Sequence, residues 1–142
     1  MGGMNDSKPS RRSFLRLLPL GALGAIVAAR PAPLGAAVKH PEPREGIDGS
    51  KVLTREQLEG WPEEMIELFE GVAKIPHVVD GIGCACGCAL MPNYRSLLTC
   101  YYETGMARGC PICQGEARLA IRRHAEGQSL ERIRRAIDGR YG

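Results

Sequence analysis

Six cysteines lie close together in this 142-residue chain, and the rest of the sequence has none. Thiols at this density support three kinds of chemistry: disulfide cross-linking, binding of soft metal ions, and thiol–disulfide exchange. The cysteines form a Cys-x-Cys-x-Cys block, a single residue and a Cys-x-x-Cys pair, namely Cys84, Cys86, Cys88, Cys100, Cys110 and Cys113. We take these six as the candidate site residues.

The Cys-x-Cys-x-Cys block favours metal binding over local cross-linking. Two cysteines separated by one residue pair poorly, because the ring that a disulfide would close is strained. Gly83 and Gly87 flank and interrupt the block, so the backbone can turn and let several sulfurs converge. Thiolates at such spacing suit copper(I), zinc or an iron–sulfur centre.

The Cys110-Pro-Ile-Cys113 pair lies at a predicted helix start. Residues three apart share one face of a helix, and the amide groups and dipole at that end stabilise a thiolate. This geometry serves either a reversible disulfide or two ligands of one metal ion. Gln114 follows the pair, whereas haem attachment requires a histidine at that position.

The three histidines are weaker candidates for metal ligands than the six cysteines. His77 lies seven residues before Cys84 and is a possible extra ligand. His124 is about 16 Å beyond Cys113 along a helix, so we expect it to pack in the core. His40 has no assigned role. Because the sequence has no catalytic triad order, paired-carboxylate signature, phosphate-binding glycine loop or HExxH, we predict no catalytic or organic-cofactor site.

The segments that must position the cysteines carry mainly the sequence signals of helices. There is no long alternation of polar and apolar residues, so no strand is expected. Capping residues, prolines and glycines mark the helix ends. They predict a capping box over Thr54–Gln57, then helices from Pro62 to before Pro76, Pro92 to near Gly105, Pro111 to Gly127, and Ser129 to Gly139. The fold class is therefore mainly α: a small domain of about four helices with a cysteine-rich loop over residues 77–91.

The N-terminus resembles a twin-arginine export signal. Residues 10–16 read SRRSFLR, an apolar stretch of about 13 residues follows, and Gly35 and Ala37 suit cleavage after Ala37. We predict a signal peptide over 1–37, a linker over 38–50 and the six-cysteine domain over 51–142. The protein would then be exported to the periplasm or the extracellular face of the membrane. An uncleaved signal would allow membrane association, although the apolar stretch is short for a span.

Charge gives no reason to expect a nucleic-acid partner. The whole chain has a formal net charge of +3, with 19 Lys and Arg against 16 Asp and Glu. Five of those 19 bases and one of those 16 acids lie in the predicted signal, which leaves 14 against 15 and a net charge of −1. The apparent basicity therefore belongs to the export segment. No feature identifies a protein partner.

Residues 75–142 resemble the PCYCGC-motif family of exported bacterial proteins. The resemblance rests on Ile75-Pro-His-Val-Val-Asp80, the cysteine block, Leu97-Leu-Thr-Cys100, Gly109-Cys-Pro-Ile-Cys113, Glu116-Ala117 and the C-terminal segment from Glu126 to Gly142. Gly83 replaces the proline of the motif and Ala85 its tyrosine. The resemblance implies a six-cysteine unit but no established activity. A weaker likeness, over Cys110–Gln114 and Gly127–Gly142, is to the helical CxxC thiol proteins of cytochrome c maturation.

The sequence thus favours an exported protein that binds zinc or copper through a thiolate cluster, for storage, delivery or structure. Enzymatic activity is not the expected role. Two alternatives remain open from the residues. One is a binding domain stapled by disulfides with no metal, since exported domains often carry an even number of paired cysteines. The other is a thiol–disulfide exchange protein that uses Cys110 and Cys113.

Overall fold

The computed structural model describes residues 38–142, and the predicted signal over 1–37 lies outside them. Within this range the chain forms α-helices and short 3₁₀ helices and no strand, which confirms the mainly α fold class. None of the described helices is both long and apolar enough to cross a membrane. The α-helices are α1 (Glu63–Lys74), α2 (Pro76–Asp80), α3 (Pro111–Ala125) and α4 (Leu130–Tyr141), and the 3₁₀ helices are Glu56–Leu58, Cys88–Leu90 and Leu97–Tyr101.

Three of the α-helices begin where local signals place them. Pro62 precedes α1, whose first turn holds Glu63 and Glu64, as the helix dipole favours. Pro111 is the first residue of α3. Ser129 occupies the N-cap position of α4 without a side-chain cap bond, and this helix passes Gly139 to end at Tyr141. These helix starts were therefore predictable from a few neighbouring residues.

The predicted helix from Pro92 is wrong. Only the 3₁₀ helix Leu97–Tyr101 forms there, because Ser96 has an extended backbone and the Leu97 amide donates to the Ile82 carbonyl at 2.7 Å. Conversely, Pro76 does not simply end a helix. It is also the first residue of α2, and this helix occupies the start of the predicted cysteine-rich loop over residues 77–91. A long-range backbone bond has overridden the local helical pattern.

One hydrophobic core joins the helices and includes cysteines. Phe69 of α1 meets Tyr101 edge to face, with ring centroids 4.7 Å apart. The Tyr101 hydroxyl donates to the Cys113 carbonyl at 2.9 Å. Ile133 and Ile137 of α4 are fully buried, and α4 packs against α3. The cysteine-bearing segments are thus fixed to the core of the domain.

The segment over residues 38–50 contacts this domain although it contains no helix. His40 accepts a hydrogen bond from the Gly83 amide through Nδ1 at 3.0 Å, and its Nε2 donates to Asp138 at 2.9 Å. Arg44 forms an ion pair with the buried Asp80 at 2.8 Å. Arg134 of α4 donates to the Pro41 carbonyl at 2.7 Å. The segment therefore holds the chain just before the cysteine block.

Candidate metal centre

Three separate parts of the chain carry the sulfurs to one place. Cys84 and Cys86 lie in the turn after α2, and Cys88 begins the next 3₁₀ helix. Cys100 lies in the 3₁₀ helix Leu97–Tyr101, and Cys113 in the first turn of α3. All six cysteines are unpaired, so the described residues hold no disulfide.

The sulfur separations fall in the range of a thiol cluster. Cys86 Sγ lies 3.1 Å from Cys84 Sγ, 2.8 Å from Cys88 Sγ and 3.6 Å from Cys113 Sγ. Cys84 Sγ lies 3.3 Å from Cys113 Sγ. A disulfide requires about 2.05 Å, whereas two sulfurs on one tetrahedral zinc ion lie about 3.8 Å apart. The cluster is therefore close to the arrangement that a shared metal ion requires.

Cys113 belongs to two triads of sulfurs. One consists of Cys84, Cys100 and Cys113, and the other of Cys86, Cys88 and Cys113, with the sulfurs of each triad within 4.8 Å of one another. All three cysteines of the first triad are buried. Cys113, which is fully buried, is the one residue that the two triads share.

Cys110 lies at the edge of this arrangement and outside both triads. It is the N-cap of α3, is half-buried, and its sulfur accepts a hydrogen bond from the Cys113 amide at 3.5 Å. Five of the six candidate cysteines therefore come together directly, and the sixth adjoins them through the helix start.

Two glycines and a glutamate shape the cysteine turn. Gly87 has φ +86°, a conformation that favours glycine, and this lets the chain reverse between Cys86 and Cys88. A Cβ at Gly83 would lie 2.5 Å from the Lys39 carbonyl oxygen, so residues 38–40 leave no room for a side chain there. Glu116 of α3 is fully buried and accepts a hydrogen bond from the Ala85 amide at 2.8 Å. Its position in the core was not evident from the sequence.

The thiols differ in acidity. Burial, followed by the hydrogen bond with Cys86, raises the pKa of Cys88 to about 11. Burial also acts to raise the pKa of Cys86, but hydrogen bonds from Cys88 and Cys84 outweigh it and lower that pKa. The hydrogen bond with Cys100 and then burial raise the pKa of Cys113. Among Cys84, Cys86, Cys88, Cys100 and Cys113, Cys86 alone has a lowered pKa.

The basic side chains of the described residues form no hydrogen bonds with the sulfurs of this cluster. Across residues 38–142, no lysine, arginine or histidine donates a hydrogen bond to a cysteine sulfur; the sulfurs are bonded mainly to one another. Several buried thiolates without a cation are costly, because burial disfavours the charged form. A bound metal cation would remove that cost, since metal ions replace thiol protons.

The histidines lie elsewhere. His77 is exposed, and its ring meets that of His124 edge to face with centroids 5.8 Å apart. Neither belongs to a convergent group of metal-ligating side chains in the described range. His124 is half-buried, and His40 contacts the backbone of Gly83. The centre therefore consists of sulfur donors alone.

One further sulfur was missed by sequence reasoning. Met106 places its thioether 3.4 Å from Cys88 Sγ, while 44% of the residue remains exposed. Its only sequence signal is a position four residues before Cys110. It gives the cluster a neutral sulfur on the solvent side.

Comparison with known proteins adds no relative to this description. No protein-family model, no curated protein and no solved structure matches the chain. The sulfur geometry is therefore the main indication of function.

Proposed function

We propose that this domain binds zinc or copper(I) through its cysteine thiolates, in a cluster that holds two ions bridged by Cys113. The observation that carries the proposal is the pair of sulfur triads that share this residue. Soft thiolate ligands favour copper(I) and zinc among the common metal ions. The role would be storage, delivery or structural stabilisation, not catalysis.

The burial of the cluster supports a resident ion over rapid thiol exchange. A reactive thiol is typically acidic and partly exposed. Cys113 is fully buried and its pKa is raised, and Cys110 lies beside it as a helix cap. Full burial and a raised pKa therefore make Cys113 a poor attacking thiol.

The proposed setting is outside the cytoplasm. The twin-arginine pattern of residues 10–16 supports this location, because it resembles an export signal. The twin-arginine pathway accepts cargo that has already folded. Metal could then enter while the thiols are still reduced and travel out with the folded protein. If the signal is retained, the domain would be held at the membrane surface.

A competitive titration tests the proposal. Reduced full-length chain is titrated anaerobically with copper(I) or zinc against a chromophoric chelator, and chain alkylated at every thiol serves as the control. We expect saturation at two ions per chain, from the two triads, with release of protons. Equal metal uptake by the alkylated chain, or none by either, would refute the proposal. Reversible oxidation of Cys110 and Cys113 without metal uptake would favour thiol exchange instead.

A further inference from the structure

We propose that Met106 is a copper(I) ligand at the rim of the cluster, through which copper(I) enters and leaves by way of Cys88. This inference rests on the proposed function and narrows it from zinc or copper to copper(I). Its basis is the contact between the Met106 thioether and the Cys88 thiol at 3.4 Å.

The exposed fractions of Met106 and Cys88 indicate the side from which an ion would enter the cluster. Cys88 is 2% exposed and Met106 is 44% exposed. Cys86, half-buried, lies 2.8 Å from Cys88, and Cys113 lies deeper and fully buried. Successive sulfurs on this route lie 3.4, 2.8 and 3.6 Å apart. An ion that reaches Met106 from solvent can therefore pass from sulfur to sulfur without losing all its ligands.

Ligand chemistry selects the ion. A thioether is neutral and soft and suits copper(I). Zinc in proteins is bound by cysteine, histidine and carboxylate groups, so a methionine ligand favours copper(I). Copper(I) is stable with two or three sulfur ligands, while structural zinc sites are almost always four-coordinate. A thioether beside triads of thiolates therefore suits copper(I) better than zinc.

The backbone keeps Met106 in place. The amide of the next residue, Ala107, donates to the Cys100 carbonyl at 2.9 Å, and Ala107 is fully buried. Gln114 of α3 donates to the Ala107 carbonyl at 2.8 Å. The methionine thus extends from a segment that is tied to two cysteine-bearing elements, so its position beside Cys88 is set by the fold.

The test follows methionine methyl groups by NMR. Full-length chain labelled with ¹³C at the methionine methyl carbons is titrated anaerobically with the acetonitrile complex of copper(I), and separately with zinc. The Met106 signal is assigned by its loss in Met106→Leu. Met91 serves as the internal control, since it is 41% exposed and also follows the cysteine block.

We expect copper(I) to shift the Met106 signal and leave Met91 almost unchanged, and zinc to shift neither. In Met106→Leu, copper(I) transfer to a chelator should slow about tenfold, with Met91→Leu like wild type and zinc affinity unchanged. If copper(I) saturates the thiols without moving the Met106 signal, this inference is wrong and the proposed function stands. If neither metal binds, both fail.

Discussion

Asp80 and the cysteine cluster are both buried, but among residues 38–142 basic side chains bond Asp80 and none bonds a cysteine sulfur. Its carboxylate accepts hydrogen bonds from Arg44, Arg95 and Ser96 at 2.8–3.2 Å. Burial alone would raise the pKa of Asp80, but these hydrogen bonds, led by Arg44, lower it below its usual range. The protein therefore supplies every partner that this buried anion needs.

The cysteine cluster differs from Asp80 in its hydrogen-bond partners. Its sulfurs donate to one another, and the burial of Cys88 and Cys113 opposes their ionisation. A buried group whose partners are all present has a structural role, as at Asp80. Buried neutral thiols need no counter-charge, whereas the thiolates of a metal-binding cluster would need one. The cluster would therefore need a cation only when its thiols ionise, and a metal ion is the cation that we propose.

The largest expected effect comes from replacing the shared sulfur. Cys113→Ser removes one ligand from both triads, so we expect copper(I) affinity to fall more than about 100-fold and the stoichiometry to drop. Chelator competition measures the affinity, and far-UV circular dichroism checks that the helices remain. Cys110→Ser is the matched control, because Cys110 lies outside both triads and should cost much less. Equal losses of copper(I) affinity in both variants would show that Cys113 does not bridge two ions.

The Asp80 region should respond in stability and not in metal binding. Asp80→Asn leaves two arginines without their charged acceptor, so we expect the free energy of unfolding of the metal-free protein to fall by about 2–3 kcal/mol. Urea unfolding measures this change. Asp48→Asn, at an exposed aspartate bonded only to Ser50, should have a much smaller effect. A parallel loss of copper(I) affinity in Asp80→Asn would mean that the two regions are not independent.

The smallest effect is a pH dependence of stability in the acid range that comes from Asp80 and that Asp80→Asn should remove. Because the pKa of Asp80 is lower when folded than the unfolded value of about 3.9, the folded state binds fewer protons in this range. Its contribution to stability is thus complete above about pH 5 and is lost as the pH falls through the folded pKa. The difference in unfolding free energy between wild type and Asp80→Asn should shrink below about pH 4. A difference that stays constant to lower pH would contradict the lowered pKa.

Local signals account for what the sequence predicted well. Prolines, acidic first turns and glycines placed α1, α3 and α4, since a helix end depends on a few adjacent residues. The segment after Pro92 failed this logic, because the Leu97 amide pairs with Ile82 and Ser96 donates to Asp80. Both bonds join residues far apart in the chain, so no local pattern could reveal them.

The candidate site, like the fold, was predictable from the sequence only where it depends on neighbouring residues. The spacing of Cys84, Cys86 and Cys88 predicted that their sulfurs could converge, as it depends on one short turn. The sequence could not show that Cys113 would be shared by two triads, nor that Met106 would reach Cys88. Those contacts depend on how α3 and the 3₁₀ helices pack, which is set by the core as a whole.

The central claim is that the cysteines bind metal and do not cross-link the chain. The most direct measurement is the native mass of the protein, isolated without reductant, together with metal analysis and a thiol count. We predict a mass increased by whole numbers of copper or zinc ions, with six free thiols after chelation. A mass six units below that of the reduced chain, with no metal and no free thiols, would mean three disulfides and would contradict the account.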